Sequence, residues 1–243
     1  MRIAIIEDDK ALASQLVHTL GAEGDTCHLY SEAASFLSAL PRESFDACIV
    51  DLMLPGMDGK ALVRLLRERK NPLPVLVLTS QDSEAEVISA LDAGADDFLV
   101  KPARAGELRA RLKALVRRAG PGNLRGTIFE YDRFRFDLQR QMAQDNGRVV
   151  ELTQKEFQLA LLFLNNIGKP LSRGHIREAV WGRDSEVPSR TMDTHVSRVR
   201  SKLSLRPDSG YLLAPVYSYG YRLERLRDDG EDTPGQAPSS DNA

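Results

Sequence analysis

Short, mainly apolar runs recur along the first half of the chain: Ile3-Ala-Ile-Ile6, Cys27-His-Leu-Tyr30, Cys48-Ile-Val50, Val75-Leu-Val-Leu78 and Asp97-Phe-Leu-Val100. Continuous apolar runs this short, bounded by turn residues, predict strands buried on both faces. Between them leucine recurs at helical spacing: Leu12, Leu16 and Leu20 over 11–20, Leu62, Leu65 and Leu66 over 59–69, and Leu108, Leu112 and Leu115 over 104–118. Residues 32–40 and 83–93 predict two further helices, and Gly21, Pro41 and Gly94 read as stops. Five βα units in alternation predict an α/β fold, a five-stranded doubly wound parallel sheet with helices on both faces.

After Gly120-Pro-Gly-Asn123 the pattern changes. Residues 127–150 alternate in short strands (Phe129, Tyr131, Phe134, Phe136), with Asn146-Gly147 as a hairpin signal. Thr153 with Glu156 three residues on predicts a capping box, opening a helix that stops at Gly168. A second helix runs from Ser172 to Trp181 with Gly182 after it, and a third spans 190–203 with Ser189 as cap. Residues 211–223 read as a closing hairpin. Three helices and a hairpin behind a small sheet make an α+β winged helix-turn-helix layout. The expected division is a first domain over 1–118, a linker over 119–123, a second domain over 124–226 and a disordered acidic tail over 227–243.

Composition narrows the classes. The 243 residues suit two domains, and no apolar run is long enough to span a membrane. The start, Met1-Arg-Ile-Ala, enters a strand at once and leaves no signal peptide. Cys27 and Cys48 have no partner motif, which fits a reducing cytoplasm, and Cys48 reads as a small core residue. The net charge of −2 hides a division. Residues 1–123 carry 15 Lys/Arg against 18 Asp/Glu, net −3; residues 124–226 carry 17 against 12, net +5; residues 227–243 carry 1 against 5, net −4. A basic second domain suits a polyanionic partner.

The chemistry sits at predicted strand ends. Asp51 ends one apolar run, with Pro55-Gly56 turning the chain soon after; Glu7 and Asp8 end an earlier run, and Lys101 a later one. Open α/β sheets bind ligands at the carboxyl ends of their strands. Three carboxylates and an ammonium at one rim point to a magnesium and phosphoryl site. Singly, each reads as a solvated strand end or surface lysine; the set at matching positions carries the argument. Asp9 reads as a helix cap outside the site.

Glu7-Asp8, Asp51 with Leu54-Pro55-Gly56-Met57-Asp58-Gly59, Thr79, Ala95-Asp96-Asp97-Phe98 and Lys101-Pro102 together resemble the receiver domain of two-component response regulators, in the flavodoxin-like fold. The resemblance implies that Asp51 accepts a phosphoryl group from a sensor histidine kinase. It implies Mg²⁺ held by Glu7 (through water), Asp8, Asp51 and the Met53 carbonyl, all hard oxygen donors. Lys101 and Thr79 then meet phosphoryl oxygens, Phe98 matches the switch aromatic, and Met53 and Gln81 border the attacking water. Asp97, Glu107 and Arg111 match the dimer face of the OmpR/PhoB subfamily, while Val87 stands where a basic residue is usual, leaving Glu107 without that partner. Beyond handling its own phosphoryl group, the domain is expected to catalyse nothing.

The segment 190–203 buries Met192, Val196, Val199 and Leu203 on one face and turns Arg190, Thr194, Ser197, Arg198 and Ser201 outward. A basic outer face on the third helix suits the DNA major groove. Arg190, Thr191, Asp193, His195, Arg198 and Arg200 resemble the subfamily's recognition helix, and Trp181-Gly182 and Gly220-Tyr221-Arg222 extend the likeness. Arg198 is the expected base contact; Arg190, His195 and Arg200 suit phosphates. Tyr217-Ser218 replaces the usual Arg-Gly of the wing, so Tyr217 would touch sugar or phosphate. His18, His28 and His175 show no metal-ligand spacing. The expectation is a cytoplasmic, phosphorylation-dependent transcription regulator that dimerises on activation, binds promoter DNA at direct-repeat half-sites and can contact RNA polymerase. The rival is an atypical, phosphorylation-independent regulator whose receiver only dimerises; a second rival makes the basic domain a protein-docking module.

Overall fold

A computed structural model describes residues 1–22, 24–80, 83–120, 127–183, 185 and 187–226, and the backbone of 123–125. Gln81 and the acidic tail, both given expectations above, lie outside the described residues, as does part of the linker.

Strands β1 (Arg2–Ile6), β2 (Thr26–Tyr30), β3 (Ala47–Asp51), β4 (Val75–Thr79) and β5 (Asp97–Val100) form one parallel sheet in the order β2-β1-β3-β4-β5. Successive side chains of a strand face opposite ways, so each apolar run feeds two cores. Ile3, Ile5, Ile49, Leu76 and Leu78 pack with Leu16 and Leu20 of α1 (Lys10–Gly21) and Leu108 and Leu112 of α5 (Ala105–Ala119). Ala4, Ile6, Cys48, Val50 and Val77 pack with Phe36 of α2 (Ala33–Ala39), Leu62 and Leu66 of α3 (Gly59–Glu68) and Ala90 of α4 (Glu84–Asp92). This is why the strands read as unbroken apolar runs. Cys48 is fully buried, as expected. The strand order reverses between β1 and β3, which opens a crevice at their carboxyl ends.

One local expectation shifts and another holds. Gly21 is the last residue of α1 rather than its stop, because Ala22 stays right-handed and its N–H still reaches the His18 carbonyl. Asp9 caps α1 by accepting from the Ala11 and Leu12 N–H groups.

The second domain opens with an antiparallel sheet, β6 (Asn123–Arg125), β7 (Ile128–Tyr131), β8 (Phe134–Asp137), β9 (Met142–Asp145) and β10 (Arg148–Val150), paired in chain order. Helices α6 (Gln154–Asn165), α7 (Arg173–Trp181) and α8 (Ser189–Lys202) follow, then a hairpin of β12 (Tyr211–Val216) and β13 (Gly220–Arg225). The Thr153–Glu156 capping box forms. Helix α6 ends before Gly168, where Asn165 and Asn166 turn their amides back onto the Leu161 and Leu162 carbonyls. Ser189 is the first residue of α8 rather than its cap, with Pro188 before it. The hairpin gains an unforeseen third strand, β11 (Leu171–Ser172), paired to β13. Phe129, Phe136, Phe157, Phe163, Val196, Tyr211 and Leu223 form one core beneath these elements. Among the described residues, no helix is long and apolar enough to cross a membrane.

Candidate functional sites

Four strand ends converge on the first site. Asp51 closes β3 and is 5% exposed. Its Oδ2 accepts from Lys101 Nζ at 2.8 Å and its Oδ1 from the Met53 N–H at 3.3 Å. The same Lys101 Nζ lies 2.9 Å from Glu7 Oε2. Oxygens of Glu7, Asp8 and Asp51 lie within 4.8 Å of one another. Glu7 is buried and Asp8 exposed, so the cluster is open on one side.

The register explains the convergence. Asp51 pairs with Leu78, which leaves Thr79 one step further along the neighbouring strand, 2% exposed. Lys101 follows β5 directly, held by its N–H to the Thr79 carbonyl at 2.7 Å. Sequence reasoning gave Gly59 no separate role. A Cβ there would sit 2.1 Å from the Asp51 carbonyl oxygen, so only glycine lets α3 begin against the end of β3.

The electrostatics are those of a crowded acidic pocket. Burial pushes the Glu7 carboxyl above its ordinary range; the Lys101 hydrogen bond opposes this and the Asp51 charge adds to it. Burial pulls the Lys101 ammonium down, but hydrogen bonds to Asp51 and Glu7 outweigh it and hold the group above the usual lysine value. One ammonium thus serves two buried carboxylates, and the third, Asp8, has solvent access. Three hard-oxygen donors around one lysine fit a small divalent cation.

Phe98 is half-buried against the core on the α3–α4 side. Met53 is 66% exposed at the site's edge. Arg111 joins Asp97 (3.2 Å) and Glu107 (2.9 Å) into one surface network. Glu107 therefore has a partner within its own chain, whereas Val87 is half-buried and α4 exposes Ile88 and Leu91.

The second site is the outer face of α8. Arg190, Thr194, Ser197 and Arg198 are exposed, while Met192, Val196 and Val199 are buried. Two expected contacts also have structural engagements within the domain. Arg200 is half-buried and donates from Nε to the Leu213 carbonyl at 2.8 Å, tying α8 to the hairpin. His195 places Nδ1 2.8 Å from the Thr191 carbonyl and sets its ring edge-on to Trp181. Tyr217, at the hairpin tip, is 97% exposed. Sequence reasoning missed the brace behind α8: Asp193 accepts from Tyr221 Oη at 2.6 Å and Arg173 at 2.7 Å, which pins helix to hairpin. Asp193 and Tyr221 were visible only as family matches.

A carboxylate pocket at the switch point of a parallel sheet, followed by a winged helix with an open basic face, defines a two-domain signalling regulator. The receiver-domain family model, "Response regulator receiver domain", matches residues 3–113, and "Transcriptional regulatory protein, C terminal" matches 147–223. The chain is 36% identical over 224 residues to the sensory transduction protein RegX3 of Mycobacterium tuberculosis, covering 91% of this chain and 98% of that one. It is 38% identical over 231 residues to the phosphate regulon transcriptional regulatory protein PhoB of Rhizobium meliloti, covering 92% and 98%. Among solved structures, the Thermotoga maritima OmpR/PhoB homolog DrrB is similar over 92% of this chain and 98% of that one, with a TM-score of 0.45 and 25% identity. The chain belongs to the OmpR/PhoB family of response regulators. It is a phosphorylation-dependent, DNA-binding transcription regulator, and nothing favours the phosphorylation-independent rival.

Proposed function

We propose that Asp51 is the phosphoacceptor and that a sensor histidine kinase is the donor. The observation that carries this is the shared ammonium: Lys101 Nζ between Asp51 and Glu7, with Asp8 alongside. An Asp51 carboxylate oxygen attacks phosphorus, the P–N bond to the donor imidazole breaks, and an acyl phosphate forms. Both reactants are anionic, so transfer depends on positioning and charge neutralisation. Glu7, Asp8, Asp51 and the Met53 carbonyl would hold Mg²⁺, which supplies positive charge to the transferring group. Lys101 offers its ammonium to a phosphoryl oxygen, and Thr79 its hydroxyl to another. Phe98 follows Thr79 and biases the face bearing Asp97, Glu107 and Arg111 toward a homodimer.

The DNA reading rests on the exposed face of α8. Arg198 reads a base edge, Arg190, Thr194 and Ser197 fix register on the backbone, and Tyr217 approaches from the wing. Arg200 and His195 support the helix, with phosphate contact left to their outer nitrogens. One bidentate contact discriminates by about 1–3 kcal/mol. Specific regulators need roughly 4–10 kcal/mol over non-specific DNA. Two copies on direct-repeat half-sites meet that need, with RNA polymerase as a downstream contact and the cytoplasm as the site of action. The test is acid-labile labelling by radioactive acetyl phosphate with Mg²⁺. Wild type should label stoichiometrically and Asp51→Ala not at all; full labelling of the variant would move the acceptor elsewhere.

A further inference from the structure

A cleft of about 1270 Å³ opens between the two domains. Met1, Thr26, Asp46 and Pro74 border it, and these residues begin or precede β1, β2, β3 and β4. The cleft is therefore at the far end of the sheet from Asp51, and the phosphoryl chemistry makes no use of it. Its lining includes large apolar side chains from both domains: Leu37, Leu40 and Val116 from the first, Leu138, Leu161 and Leu162 from the second. Each of the six is only half-buried, so the cleft keeps apolar surface in contact with water.

Its charges are unbalanced. Among the described residues, six basic side chains line it against three acidic ones. The three acids are already engaged. Glu43 and Glu178 both pair with Arg2, at 2.7 and 2.8 Å; Asp46 accepts the Arg2 N–H at 2.7 Å and faces His175 at 3.4 Å. Three of the cations gather at one corner. Lys113 and Arg117, both exposed, stand one turn apart on the same face of α5. Lys169 Nζ donates at 3.1 Å to the carbonyl of Ala119, two residues beyond Arg117. No carboxylate of the described residues is within ion-pair distance of these three. Burial pulls the Lys169 ammonium below the ordinary lysine value, and the Asp46 charge only partly offsets it. An ammonium held partly out of water beside a neutral carbonyl gains from an anion, because a charge-assisted hydrogen bond is about twice as strong as a neutral one.

We propose that this cleft binds an anionic amphiphile: a single alkyl or acyl chain lying against the leucines, with a phosphate head on Lys113, Arg117 and Lys169. A bare anion leaves the leucines wet, and a neutral chain leaves the three cations unpaired. Walls contributed by both domains admit one molecule and keep out a bilayer surface. Pockets for drug-sized ligands occupy about 300–1,000 Å³, so this cleft has room for chain and head together.

Isothermal titration of the full-length protein with decyl phosphate, kept below its micelle concentration in Mg²⁺-free buffer, tests this. Wild type should bind one molecule saturably, and inorganic phosphate and decanol should each bind on the order of tenfold or more weakly. Lys113→Glu with Arg117→Glu changes two exposed positions and leaves the cores alone. It should lose decyl phosphate affinity on the order of tenfold and take decyltrimethylammonium more tightly than wild type does. Leu37→Trp and Leu162→Trp, which narrow the apolar part from either domain, should each weaken decyl phosphate. Arg64→Glu, at an exposed arginine of α3 outside the cleft, should bind as wild type does. Absence of saturable binding, equal affinity for inorganic phosphate or decanol, or the same loss in Arg64→Glu as in the double variant overturns the site. Binding to vesicles of phosphatidic acid and phosphatidylcholine, with none to monomeric decyl phosphate, also overturns it and makes the basic corner a membrane contact.

Discussion

Lys101 Nζ stands 2.8 Å from Asp51 Oδ2 while the same nitrogen holds Glu7 at 2.9 Å. One cation balances two carboxylates that burial has deprived of water. Lys101→Met leaves both unpaired beside Asp8, and breaking a buried pair in this way costs about 3 kcal/mol. Thermal unfolding should show a lower Tm in Mg²⁺-free buffer and a larger upward shift on adding Mg²⁺ than wild type gives. Equal shifts would mean the lysine and the cation do not share the same carboxylates.

The start of α3 offers a steric test of the same pocket. Gly59→Ala drives a Cβ into the Asp51 carbonyl, 2.1 Å away, and must displace backbone. Receiver stability should fall by about 2 kcal/mol or more, and Asp51 labelling with it. Gly106→Ala in α5, where a Cβ meets nothing within 4 Å, is the control and should be neutral or stabilising by up to about 1 kcal/mol. Denaturant midpoints of both variants check the contrast.

Strand ends were the legible part of this chain. Asp51, Thr79 and Lys101 each follow an apolar run, and a parallel sheet gathers such ends at one rim. The periodicity of Met192, Val196 and Val199 likewise fixed which face of α8 turns outward. Partners of long side chains were not legible. Arg200 reads as one more outward arginine until the hairpin carbonyl of Leu213 is in place. Arg2, His28 and His175 look unremarkable in sequence because their partners, Glu178, Ser44 and Asp46, come from the other domain. No periodicity encodes a contact between positions 2 and 178.

The two arginines of α8 should separate on mutation. Arg198 is exposed, and Arg198→Ala should cost about 1–3 kcal/mol on the cognate sequence with a smaller loss on unrelated DNA. Arg200→Ala removes the bond to Leu213 and should lower the second domain's stability by about 1 kcal/mol. Binding titrations on cognate and scrambled duplexes, paired with melting curves, distinguish the two. Equal loss on every sequence for Arg198→Ala would make it a phosphate contact.

Acid should weaken the chain through its interdomain joint. Burial raises the Glu178 carboxyl, but His28 and Arg2 outweigh it and hold it down at about 2. Burial likewise opposes ionisation of Asp46, and His175 and the Arg2 N–H outweigh it, again to about 2. Folded values below the unfolded ones mean these groups stabilise above about pH 4, with the contribution lost as pH falls toward 2. On that scale Asp46 is worth about 2 kcal/mol and Glu178 about 3 kcal/mol at most. The unfolding free energy of Glu178→Gln should fall less steeply between pH 4 and 2 than that of wild type; parallel slopes would remove Glu178 from the linkage.

Fluorescence anisotropy of labelled promoter DNA, titrated with full-length protein with and without acetyl phosphate and Mg²⁺, tests the central claim most directly. Phosphodonor should raise the affinity of wild type by on the order of tenfold or more and leave Asp51→Ala unchanged. Equal affinity in wild type with and without phosphodonor, or the same enhancement in Asp51→Ala, would contradict the account.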